Sequence, residues 1–252
     1  MTAPRLAYEE VAHQLRAMIL AGELRAGHRL PTEDELREQF GVGRSTIREA
    51  LRTLSSHGLL TTSRGVGGGS SVAQLDHDDV TEMLEAAIAV LTQSEGVTVA
   101  ELLEARDLLE VPAARLAALR RTDEQLELIR KTIPRSVDRI PFRRIYDVNH
   151  AFHEALLDAA QNRLLHAMTQ PVFTVLGNRF ARERAQRDFW RVVMADHSNI
   201  LQAVVARDPD KAGREMHAHL MHLRTTYEAI DSLSQQRQDD DEETPPHPNR
   251  HG

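Results

Sequence analysis

"FGVGRSTIREALRTLSSHGLLTTSRGVGGGSSV", Phe40 to Val72, decides how this chain is read. Glycines at positions 41 and 43 break the chain just before Arg44, and from about Arg44 to His57 the apolar residues Ile47, Leu51 and Leu54 recur at helical spacing. Such a helix packs one face on its domain and presents a polar first turn of Arg44, Ser45, Thr46 and Arg48. A helix entering the major groove of DNA needs those side chains at that end. Arginine donates two bonds to guanine, while serine and threonine reach phosphates or base edges. The segment "GLLTTSRGVGGGSSV" then predicts two short strands around a glycine-rich turn. Arg64, Gly65 and Gly67 to Gly69 make that hairpin a wing whose tip, free of side chains, lies close to a sugar-phosphate backbone. Taken alone, the polar cluster also fits a solvated helix face beside a flexible hairpin.

Upstream, "YEEVAHQLRAMILAGEL" places Val11, Leu15, Met18 and Ile19 on one helical face and stops at Gly22. A second helix starts at "PTEDELREQF", where Thr32 and Glu35 have capping-box spacing, and ends at Gly41. The order is therefore helix, helix-turn-helix, β-hairpin. With these elements in place, "GELRAGHRLPTEDELREQFGVGRSTIREALRTLSSHGLL" followed by "RGVGGGSSV" resembles the winged helix-turn-helix domain of the GntR family of bacterial transcription regulators, over about residues 8 to 74. The resemblance implies DNA contacts from Arg44, Ser45, Thr46 and Arg48, with Arg64 and Gly65 in the wing. Gly43 stands where many members have Ser or Thr; glycine still caps the helix, at a cost of a few tenths of a kcal/mol. Asp34 stands where some relatives have a DNA-contacting Arg, which implies weaker phosphate affinity.

The bulk properties agree with two domains. At 252 residues the chain has room for two cores, and 4% aromatic content with few strand-like runs favours helices, so the fold is expected to be mainly α. A net charge of −7 argues at first against nucleic acid, but acids concentrate in "DDDEE" at Asp239 to Glu243. With no cysteine, any metal must be held by nitrogen and oxygen. No apolar run approaches a membrane span and the first residues lack a signal-peptide core, so a cytoplasmic protein without a membrane partner is expected.

From about residue 78 to 233 the pattern is helical, with breaks near Gly96, Thr122, Pro134 to Pro141, Asn162 and Asp208-Pro209, which implies a bundle of roughly six or seven helices. Residues 234 to 252 lack apolar anchors and are expected to be a disordered acidic tail. Several of the 13 histidines fall on apolar helix faces. His153 follows Asn149 by four on the face of Leu156 and Leu157. His197 shares a face with Val193, Met194, Ile200 and Leu201, and His219 one with Met216, Leu223 and Tyr227. Converging in one cavity, three imidazoles and an Asn would suit Zn, Ni or a related first-row ion. Each alone reads more readily as a hydrogen-bonded core residue. Arg106 also points inward, towards either the carboxylate of a ligand or Glu110 at i+4. His150, His217 and His222 read as solvated, or as outer partners of the inward histidines.

The "N-x-x-F-H" segment at Asn149, the following Asn162, and the spaced His197 and His219 resemble the FCD domain, the effector-binding helical bundle of FadR-type GntR regulators, over about residues 78 to 230. In metal-binding members an Asp and three His line the cavity, and an organic acid completes the coordination. The resemblance thus implies a divalent ion (Zn, Ni or Mn) on Asn149, His153, His197 and His219, with Asn149 in place of the usual Asp and Arg106 as a second anchor for a small carboxylate effector. Members that bind fatty acyl thioesters use a metal-free cavity. The whole reading is a homodimeric, ligand-responsive regulator, most often a repressor in this family, on a palindromic DNA operator. Its rivals are a ligand-independent DNA-binding regulator with a degenerate metal site, and a metal-dependent hydrolase. No HExxH pattern supports the latter, and Glu154, beside His153, should point away from the site.

Overall fold

Thr32 and Glu35 fix the first turn of the helix-turn-helix. In the computed structural model, which describes residues 6–63, 65, 68–93, 97–180 and 186–243, Glu35 Oε2 accepts from Thr32 N at 2.7 Å and Thr32 Oγ1 accepts from Glu35 N at 3.3 Å. This reciprocal cap opens α2 (Glu33–Phe40). Gly41 closes it in the left-handed region, φ 65°, which a side chain resists. Before it runs α1 (Ala7–Leu20) and after it α3 (Arg44–Ser56), capped by Gly43 without a side-chain bond. Val11, Leu15, Leu36, Ile47, Ala50 and Leu54 form the core between the three helices, closed by Leu60 and Val72 of the hairpin. Ala50, expected on the packed face, is fully buried, while Leu51, expected there too, is half buried against the same core. The strands β1 (Leu60–Ser63) and β2 (Gly69–Val72) pair antiparallel with Leu60 opposite Val72 and Ser63 opposite Gly69.

The chain divides into two units, Met1–Asp76 and His77–Gly252. Among the described residues the second unit has seven α-helices: α4 (His77–Gln93), α5 (Val99–Arg120), α6 (Asp123–Thr132), α7 (Phe142–Ala159), α8 (Arg163–Phe180), α9 (Arg187–Val205) and α10 (Pro209–Glu243), with a 3₁₀ turn at Val137–Arg139. Their starts follow local chemistry. Thr98 with Glu101 and Thr122 with Gln125 form capping boxes. Asn162 Oδ1 accepts from Leu165 N at 3.1 Å, and Asp208 Oδ1 from Lys211 N at 2.9 Å, with Pro209 in the first turn of α10. A boundary between α8 and α9 had no glycine or proline to announce it. α10 is helical to Glu243, ten residues into the segment expected to lack structure. Beyond Gly213 in its second turn, no glycine or proline occurs before Pro245, so a helix started at Asp208-Pro209 meets no further breaker. Residues 244–252 lie outside the described residues.

Within this unit α10 packs along α5 and α9, α7 lies against α5 and α6, and α4 against α8. Leu103, Phe152, Leu156, Val193, Ile200, Met216 and Leu223 are buried together at the centre. Burial of such side chains contributes about 1.5–3 kcal/mol each. Into the same interior the helices also carry Arg106, Glu110, Asn149, His153, His197 and His219, all nearly inaccessible. That is a costly arrangement unless these polar groups find partners.

Candidate functional site

Two sites emerge, one in each unit. On the first, α3 raises Arg44, Ser45 and Arg48 into solvent and half-buries Thr46, while Ile47, Ala50 and Leu54 anchor its underside. The first turn of α2 supplies acids to both arginines. Arg44 Nη2 donates to Asp34 at 2.7 and 3.0 Å, Arg37 Nη1 donates to the same carboxylate at 2.8 Å, and Arg48 Nε donates to Glu33 at 2.9 Å. The bonds from Arg44 and then Arg37 hold Asp34 below the usual carboxylate range, and Asp34 raises Arg44 in return. In the hairpin, Gly65 has φ 109° and its carbonyl accepts from Gly68 N at 2.8 Å, a turn that favours glycine. Arg29 donates to the Gly68 carbonyl. Arg64, a candidate contact, lies outside the described residues. Sequence reasoning put the cationic residues on α3, where they are exposed, but missed that Glu33 and Asp34 bind them.

In the second unit the inward-facing residues of α7, α9 and α10 meet. Ligand nitrogens of His153, His197 and His219 all lie within 4.8 Å of one another. Ring centroids are 5.3 Å apart for His153 and His197, 5.3 Å for His153 and His219, and 4.8 Å for His197 and His219. The His197 ring is stacked on Phe152 at 3.8 Å, which fixes its plane. Asn149, one turn before His153 on α7, is fully buried.

Two carboxylates hold the rings from behind. His153 Nδ1 is 2.5 Å from Glu110 Oε2, on α5. His219 Nδ1 is 3.3 Å from Asp196 Oδ2, on α9, and the same oxygen takes His222 Nδ1 at 2.9 Å. For His219, the Asp196 carboxylate at Nδ1 sets the tautomer that leaves Nε2 as a lone pair, whereas His153 Nδ1 meets Glu110 as a close ion-pair contact without hydrogen-bond alignment. Burial pushes His153 down to about 4, against the opposing pull of Glu110. Burial, followed by the neighbouring histidines, drives His197 well below the usual value, and burial also lowers His219 although Asp196 opposes it. All three imidazoles are therefore neutral at pH 7. Burial raises Asp196, but the bonds to His219 and His222 outweigh it and its net shift is downward.

The unsatisfied atoms point the same way. Both nitrogens of His197, Nε2 of His153 and His219, and both Oδ1 and Nδ2 of Asn149 are buried without a hydrogen-bond partner among the described residues. Native interiors leave few such groups, and each requires an explanation. Three nitrogen lone pairs and an amide oxygen fit the donor set of a first-row dication. Glu154 faces elsewhere, accepting from Gln170 at 3.1 Å.

Arg106 is inside this polar region. It donates from Nε to Glu110 Oε1 at 2.5 Å and from Nη2 to Oε2 at 3.3 Å, and its guanidinium lies 4.5 Å above the Phe173 ring. The i,i+4 pair with Glu110 is thus present, and Nη1 still has no partner. Sequence reasoning missed Asp196 and saw Glu110 only as a partner of Arg106. Their signal was positional: Val193, Asp196, His197 and Ile200 follow i, i+3, i+4, i+7, an acid within an apolar stripe.

Comparison with known proteins places both units. The family profile described as "Bacterial regulatory proteins, gntR family" matches residues 7–68, and that of the "FCD domain" matches residues 101–222. The HTH-type transcriptional regulator LutR of Bacillus subtilis (strain 168) is 33% identical over 215 residues, covering 82% of this chain and 94% of LutR. The HTH-type transcriptional repressor NanR of Salmonella newport (strain SL254) is 30% identical over 232 residues, covering 90% of this chain and 87% of NanR. Among solved structures, Streptococcus agalactiae GntR superimposes with a TM-score of 0.53 at 25% identity, over 87% of this chain and 99% of that one.

Proposed function

Because this chain belongs to the GntR family of DNA-binding transcriptional regulators and carries its FCD domain, we propose that it is a dimeric repressor whose DNA affinity is set by a small organic acid bound at a metal centre in the helical unit. The observation that carries this reading is the buried cluster of three neutral histidines, with Asn149, fully buried and both polar atoms unpaired among the described residues, one turn before His153 on α7. His153, His197 and His219 would hold the ion through ring nitrogens, with Asn149 Oδ1 as a fourth donor. A zinc, nickel or manganese ion there supplies a Lewis-acid position for carboxylate oxygens.

The chain's own residues do the rest. With four neutral donors the site leaves the ion's charge uncompensated, which favours an anionic effector. Glu110 is already matched by Arg106. The unpaired Nη1 of Arg106 offers a second, charge-assisted bond to the same acid. Buried apolar walls from Phe152 and Phe173 exclude water and strengthen both interactions.

On the DNA side, Arg44, Ser45, Thr46 and Arg48 of α3 would enter the major groove, with Arg64 and Gly65 of the wing along the backbone. The name of NanR as a repressor supports repression here. The cytoplasm is the compartment that contains DNA, and no helix among the described residues is long and apolar enough to cross a membrane. An effector that prefers one dimer state changes DNA affinity by its differential binding, about 1–3 kcal/mol or 5–150-fold in typical systems. The test is a titration of operator DNA with metal-loaded protein, with and without a panel of small mono- and dicarboxylates. A shift in affinity for one acid class is expected. Unchanged affinity across the panel would refute ligand control and leave a constitutive DNA-binding regulator.

A further inference from the structure

Asp34 is an unusual neighbour for a helix that faces DNA, because a carboxylate next to phosphates is repelled. Its geometry suggests why it is there. Arg44 Nη2 spans both oxygens of the carboxylate, at 2.7 and 3.0 Å, and Arg37 pins Oδ1 at 2.8 Å from within α2. The carboxylate is therefore fixed from its own helix, and it fixes the Arg44 guanidinium in turn. Among the described residues Arg48 has a single side-chain bond, from Nε to Glu33. Held through one N–H of Nη2, Arg44 keeps the other Nη2 N–H and a neighbouring N–H, a parallel pair, to donate elsewhere.

We propose that Asp34 is a positioning residue that makes Arg44 a reader of guanine instead of a phosphate contact. The choice follows from charge. An arginine whose charge is partly offset by a carboxylate it shares with Arg37 displaces fewer counterions at a phosphate, so it loses part of the sequence-independent gain. Guanine presents two neutral acceptors, O6 and N7, in the major groove, and they reward a fixed pair of N–H donors. Asp34 thus lowers affinity for arbitrary DNA and raises discrimination at one G·C pair of the site. This inference rests on α3 being the DNA-reading helix.

The experiment is selection from a randomised duplex library with the full-length wild type, Asp34→Asn and Asp34→Glu, followed by binding of the enriched DNA and its single-base variants at about 0.1 M salt. The wild type is expected to enrich a guanine whose replacement weakens binding about tenfold or more. In Asp34→Asn that preference relaxes, affinity for unrelated DNA rises several-fold, and the salt dependence steepens by about one phosphate contact. A misfolded domain cannot produce that rise. Asp34→Glu, which keeps the charge, restores part of the preference. The same guanine preference and the same non-specific affinity in Asp34→Asn would overturn the role of Asp34 alone. A wild type that enriches no sequence would overturn the DNA reading with it.

Discussion

Glu110 Oε2 lies 2.5 Å from Nδ1 of His153. The same carboxylate takes Nε of Arg106 through its other oxygen, so one buried acid balances a buried cation and aims a candidate metal ligand. Arg106 and Glu110 are 0% and 3% exposed in their side chains, so nothing in solvent replaces either. Glu110→Gln is expected to cost about 3 kcal/mol of stability, because it leaves the Arg106 charge buried and unmatched. It should also lower metal affinity roughly 10–100-fold by releasing His153. Denaturant unfolding and competition with a metal indicator check the two effects separately. Replacing Arg106 by Met in the same chain should recover stability but not metal affinity.

Asn149→Asp places a carboxylate where a neutral amide is buried. With metal present the variant gains charge compensation and should bind the ion more tightly than the wild type. Without metal it carries an unpaired buried acid and should melt at a lower temperature. The gap between chelated and metal-loaded melting temperatures therefore widens; an unchanged gap would place Asn149 outside the site.

The three buried histidines give the metal-free protein a specific pH dependence. Their ordinary value is 6.5, and His153 is pushed down to about 4, with His197 and His219 lowered in the same direction. Between those values the unfolded chain binds more protons than the folded one, so stability is complete above about pH 7 and falls as pH drops below 6.5. His153 alone loses about 1 kcal/mol at pH 5.5, and His197 and His219 add to the loss in the same direction. Unfolding curves on chelated protein at pH 7.5, 6.5 and 5.5 measure it, and a flat profile would contradict neutral burial.

Gly177, on α8, allows Tyr146 of α7 to lie directly on the helix backbone. A β-carbon at position 177 would collide with the Tyr146 ring at Cε1, Cζ and the hydroxyl oxygen. Gly177→Ala is expected to displace that ring, which packs edge-on to Trp190 at 6.1 Å, and to cost about 1–3 kcal/mol by overpacking. Thermal melting measures the cost, and a melting temperature at or above that of the wild type would mean that the contact is slack.

Much of this fold was legible because its signals are local. The Thr32–Glu35 box, the Asp208-Pro209 start and the inward histidines each follow from spacing within one helix. What stayed hidden depends on packing between helices. Glu110 meets His153 only because α5 lies against α7, and Asp196 joins His219 to His222 across α9 and α10. His222, read as solvated or as an outer partner of the inward histidines, has a half-exposed side chain and shares that acid. The end of α8 left no mark in composition, and the helical stretch from Ser234 to Glu243 contains acids that favour neither a core nor a break.

The most direct measurement is the metal content per chain, by elemental mass spectrometry, of untagged protein purified without chelator, for the wild type and His197→Ala. The account predicts close to one equivalent of zinc, nickel or manganese in the wild type and its loss in the variant. A wild type that is empty and refuses added metal would contradict it, leaving the DNA-binding unit in place and the histidines as packing residues.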